Sequence, residues 1–166
     1  YLQNQDRLME IRMRKALFLL IAALAPAQAF AANQVALDNN VFVERVTTDA
    51  AGKQRVLLEE PKVVVPGDRL VFVLNYRNAG AQPADKFVIT NPMPSAVRFA
   101  GAGDTPPLVS VDGGKMWGQL ADLTVPMADG TRRPAQPADV THVRWAFQKP
   151  IPAGATGKLI FRGVVK

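Results

Sequence analysis

The side chains able to do covalent or acid–base chemistry are few and poorly spaced for it. The chain has one histidine, His142, no cysteine, and two serines, Ser95 and Ser110. Neither serine sits in a Gly-x-Ser-x-Gly elbow, the strained turn that exposes a nucleophilic hydroxyl. A serine triad would have to bring His142 to one of them. His142 falls on the outward phase of its strand beside Arg144, where a solvated imidazole is expected. Glu59 and Glu60 are adjacent on a strand and so face opposite ways, which is wrong for a paired acid and base. Asp112-Gly113-Gly114 and Asp129-Gly130 lack the string of oxygen ligands that calcium needs and read as hairpin turns. Gly101-Ala102-Gly103 lacks the third glycine and following helix of a dinucleotide site. The missing cysteine excludes thiolate metal ligands and a thiol nucleophile. No catalytic residue, cofactor or metal is therefore expected. One aromatic stands apart: Trp117, between Met116 and Gly118, falls in an irregular stretch. Loop aromatics are enriched at binding surfaces, so Trp117 and Met116 are candidate contact residues.

The elements that must position these residues are strands. Residues 41–48 and 54–60 are β-rich runs flanking a turn at 49–53, a hairpin with a five-residue loop. A short strand is expected at 62–65, ended by Pro66-Gly67. Residues 68–78 form the strongest strand. Leu70, Phe72, Leu74 and Tyr76 share one face, and Val71 and Val73 the other, the pattern of a central strand covered on both sides. Further strands are expected at 86–90, with Phe87 and Ile89 in register and the prolines after Asn91 ending it. Others are expected at 96–100, 108–111 and 123–125. Residues 101–138 are rich in glycine and proline and read as a long decorated connection. In 139–149, Thr141, Val143, Trp145 and Phe147 point inward while His142 and Arg144 point outward. Residues 158–165 close the chain, with Leu159, Phe161 and Val165 in phase. No α-helix is expected in 32–166. Strands at intervals of about ten residues indicate an antiparallel β-sandwich.

The N-terminal stretch fixes the expected compartment. Arg14 and Lys15 precede the apolar run 16–25, Pro26 breaks it, and Ala27, Ala29 and Ala31 supply small residues. That order predicts a secretory signal peptide over 13–31, cleaved to leave Phe30 or Ala32 first. Its apolar run is too short to span a bilayer core of roughly 30 Å. Residues 1–12 are an upstream or alternative-start segment outside the fold, and 32–166 form one domain. No second apolar segment follows, so no membrane anchor is expected after cleavage. Residues 1–31 carry four basic and two acidic side chains, so the formal charge of +6 falls to +4 without them. The remaining basic residues are scattered and not interleaved with aromatics, which excludes a nucleic-acid groove.

The run Val65-Pro66-Gly67-Asp68, the alternating strand to Asn78, and the turn Asn78-Ala79-Gly80 resemble the DUF11 conserved-repeat family. That family's pattern is a Pro-Gly-Asp turn, a strand, an Asn-x-Gly turn, and a second strand ending in Asp-x-x-Pro. Here the ending is Asn91-Pro92-Met93-Pro94, with Asn91 where the family usually has Asp. Pro150-Ile151-Pro152-Ala153-Gly154 and the strand after it look like the family's last turn and strand. The resemblance covers about 63–166, interrupted by 101–138. It implies an immunoglobulin-like sandwich of bacterial exported and surface proteins, here with an extra N-terminal hairpin, and it carries no catalytic residues.

These readings predict a non-catalytic exported module, structural or interacting, of the bacterial cell envelope. Its partners would be other envelope proteins or anionic envelope polymers. The alternative is a periplasmic ligand-binding or chaperone-like sandwich that uses 101–138. The closing strand, with Ile160, Arg162 and Val164, is expected to offer an unpaired sheet edge to a partner.

Overall fold

The computed structural model describes residues 35–166. The expected leader, its cleavage sites and residues 1–12 lie outside the described residues. Ten strands follow in order: β1 (Val35–Thr48), β2 (Gln54–Glu59), β3 (Arg69–Asn78), β4 (Val88–Pro92), β5 (Val97–Ala102), β6 (Leu108–Ser110), β7 (Thr124–Pro126), β8 (Arg132–Pro134), β9 (His142–Ala146) and β10 (Thr156–Val165). Two single 3-10 turns, at Leu120–Asp122 and Pro137–Asp139, are the only helical elements among the described residues. All pairings are antiparallel. One sheet has the order β2-β1-β3-β10-β5, a second β4-β9-β6, and β7 with β8 forms a small hairpin.

The two larger sheets share one core. Leu70, Phe72 and Leu74 of β3, with Leu159 and Phe161 of β10, meet Ile89 of β4, Val109 of β6 and Val143 and Trp145 of β9. Phe72 stacks on Phe161 at 4.4 Å between ring centres, and Trp145 lies against Phe161. This is the sandwich-like, all-β arrangement that the strand phases require, with β3 central and buried on both faces. The β9 phase is as expected: Val143 and Trp145 are buried, His142 and Arg144 face out.

Three local expectations are corrected. Residues 62–65 form no strand, and Val63 is 74% exposed. β4 runs on through Pro92 rather than stopping before it. That is tolerated because β4 is an edge strand, where a missing N–H faces outward. The third correction concerns β10, which lies between β3 and β5 and is not an edge.

Two glycine-containing turns explain the motif spacing. Asp68 N–H bonds the Val65 carbonyl at 3.0 Å, closing a turn with Pro66 second and Gly67, at φ +93°, third. The Asp68 carboxylate then accepts from Val65 N–H and from Arg45 at 2.7 Å. At the far end of β3, the side chain of Asn78 is buried. It donates to the Gln82 and Ile151 carbonyls and accepts from Gly80 N–H, pinning two loops.

Candidate functional site

Trp117 is held by a loop that folds on itself. One carboxylate oxygen of Asp112 accepts from the Ser110 hydroxyl at 2.8 Å and from Lys115 and Met116 N–H at 3.0 Å. Those donors, the Met116 N–H first and then the Ser110 hydroxyl, hold the Asp112 carboxyl below its usual range. Gly113 and Gly114 adopt positive φ, the backbone form this tight return needs. Gly118 then pairs with Val109 and covers the outer edge of β6. The Trp117 indole N–H bonds the Gly114 carbonyl at 2.8 Å.

The loop lays Trp117 across the outer face of β9. The Arg144 guanidinium sits 3.7 Å from the Trp117 ring centre, a cation–π stack, and His142 meets the ring edge-on. Trp117 is half-buried and Met116 is 60% exposed. The guanidinium over the indole, with the imidazole edge-on beside it, makes a half-buried amphipathic shelf.

Ser110 and His142 stand directly opposite each other on β6 and β9. Their hydrogen bonds are not those of a nucleophile and its base. The Ser110 hydroxyl is fully buried and donates straight to Asp112. The Nδ1 of His142 faces the Thr141 hydroxyl at 3.0 Å. In a triad the imidazole stands between hydroxyl and carboxylate; here the carboxylate takes the hydroxyl proton's bond directly. Asp129 likewise closes the β7–β8 turn through Thr131. Glu59 is the last residue of β2 and Glu60 follows it, both exposed.

The β10 residues proposed as an edge are internal. Ile160 pairs with Val73, and its carbonyl accepts from Gly103 N–H at 2.9 Å. Arg162 pairs with Val71, donates to the Ala102 carbonyl and lies near Glu44. Val164 pairs with Arg69 on one side and Arg98 on the other. The sequence could not show this, because β5 and β10 are far apart along the chain and join only in the fold.

Two surfaces were missed. A cleft of about 400 Å³ opens between the sheets, lined by Pro106, Leu108, Trp145, Phe147 and Leu159 among others. It lies where β5 has ended and the first half of β10 pairs only with β3. The second surface is β2. All six of its residues are exposed, including Val56, Leu57 and Leu58. The signal was present: three consecutive apolar residues on a short strand must place apolar groups on both faces, and a terminal hairpin cannot cover both.

No family model, no curated protein and no solved structure matches the chain.

Proposed function

We propose that this protein is a non-catalytic exported interaction module of the bacterial cell envelope, built on an immunoglobulin-like sandwich of the DUF11 type. The observation that carries the reading is the β1–β2 hairpin. It presents a terminal strand whose apolar residues Val56, Leu57 and Leu58 are about half exposed. Edge strands of this kind invite pairing with another chain, and proteins that have no use for such pairing usually block it. The Pro-Gly-Asp and Asn-x-Gly turns that carry the resemblance act as structural ties, through Asp68 and Asn78, which accords with a scaffold role. The basic leader and apolar run at 13–31 support export.

The shelf of Trp117, Arg144 and His142 favours a second reading, a periplasmic module that binds a planar or anionic ligand there. A photo-crosslinking residue at Leu57 or at exposed Met116 beside the shelf, in protein expressed with its leader in a bacterial host, separates the two. Discrete envelope-protein adducts at position 57 support the interaction reading. Adducts at position 116 alone would transfer the function to the shelf. Recovery in the cytoplasm with residues 13–31 intact would overturn export.

A further inference from the structure

The β2 sequence is self-complementary when it meets itself antiparallel. We infer that two copies of this chain pair β2 to β2 about a two-fold axis through Leu57, joining two five-stranded sheets into one of ten strands. The inference rests on the interaction-module reading and names its partner.

The backbone phase permits this pairing. Asp49 N–H bonds the Lys53 carbonyl at the hairpin mouth, and the β1–β2 register runs from Thr48 opposite Gln54 to Val43 opposite Glu59. Alternation along an antiparallel ladder then turns the N–H and C=O of Arg55, Leu57 and Glu59 toward β1. Those of Gln54, Val56 and Leu58 turn outward. A two-fold axis at Leu57 sets Val56 opposite Leu58 of the second copy, so outward groups meet outward groups. Each such pair exchanges two backbone hydrogen bonds.

The side chains select the register. With the axis at Leu57, Arg55 stands opposite Glu59 of the second copy, twice by symmetry, and Leu57 stands opposite itself. Shifting the axis to Val56 sets Arg55 against Leu57. Shifting it to Leu58 sets Glu59 against Leu57 and Glu60 against Val56. Only the Leu57 axis matches charge with charge and apolar with apolar. Arg55 and Glu59 then fall in non-hydrogen-bonded pairs, where opposed side chains lie closest. The exposed Val56, Leu57 and Leu58, 58%, 46% and 50% accessible in one copy, each gain an apolar cross-strand neighbour.

The chain has no cysteine, so Leu57→Cys introduces a single thiol. Opposed Cα atoms about 4.5 Å apart in such a pair lie within disulfide reach. Mild oxidation of the full chain should give a covalent dimer for Leu57→Cys and none for Leu37→Cys, an exposed position in the part of β1 that lies beyond β2 and outside the proposed pairing. On the Leu57→Cys background, Arg55→Glu or Glu59→Arg should each lower dimer yield by roughly tenfold, and the two together should restore it. Circular dichroism and melting confirm that each variant folds. A folded Leu57→Cys chain that stays monomeric, or a charge swap that fails to restore dimer, overturns the inference. Position-57 adducts to a different envelope protein, without self-adducts, overturn it while leaving the interaction reading intact. Absence of adducts at both 57 and 116 overturns that broader reading.

Discussion

Asn78 shows how one side chain can hold a fold without any chemistry. Its buried amide serves two carbonyls from separate loops and accepts one N–H. Asn78→Ala removes three hydrogen bonds that tie these loops together, although the Ile151 carbonyl keeps its bond from the Ala84 N–H, so we expect a loss on the order of 1–3 kcal/mol in a denaturant melt. Exposed Asp85→Ala should change stability by less than about 0.5 kcal/mol. Equal effects would refute the structural role. Trp145 is 4% exposed against Phe161, and its indole bonds the Thr105 carbonyl. Trp145→Ala should cost about 3–5 kcal/mol. The half-buried Trp117 is different: a double-mutant cycle with Arg144 should return a coupling of about 0.5–1 kcal/mol. The core role of Trp145 was legible from strand phase. The Arg144–Trp117 stack was not, because nothing local ties position 117 to a strand that begins 25 residues later.

At the level of elements, the hairpin and the central strand could be read directly, since loop length and two-residue periodicity are local properties. The placement of β10 could not. Its sequence reads as a closing edge strand, yet β5 covers it through a register shift between Phe161 and Gly163. Gly101, at φ +114°, lies in the stretch of β5 that absorbs the extra residue. Gly163 leaves no room for a side chain: a Cβ there would collide with a Val97 methyl and crowd the Arg98 carbonyl. Gly163→Val should therefore destabilise by about 1–3 kcal/mol or more through overpacking. Gly52→Val, at an open turn with φ +78°, tests backbone strain alone and should cost on the order of 1–2 kcal/mol. If Gly163→Val proves neutral, β5 does not sit against β10 as described.

Across the described residues, five connections share one device: an aspartate whose carboxylate accepts from nearby backbone or side-chain donors. Asp49 is held below its ordinary value of 3.8 first by the Lys53 N–H and then by Arg55. Asp68 is held down by the Val65 N–H and Arg45, and Asp129 by the Thr131 hydroxyl and N–H. Asp139 is held down by the Arg133 guanidinium, which grips it at 2.7 Å through two nitrogens. With Asp112, these groups close the β1–β2 hairpin, the β2–β3 and β6–β7 connections, the β7–β8 turn and the entry to β9. Each folded carboxyl is more acidic than its unfolded counterpart, so folding releases protons as pH falls into the carboxylate range. Their contribution is complete above the unfolded value of 3.8 and is lost as pH drops through the depressed folded values. Stability measured by urea melts should therefore be flat from about pH 7 to 5, then fall steeply toward about pH 2.5. Replacing Asp139 by Asn removes the charge that Arg133 grips. It should lower stability at neutral pH and flatten the acid limb, because one of the linked protons no longer differs between the two states. An acid limb of unchanged steepness in Asp139→Asn would show that this pair does not contribute to the linkage.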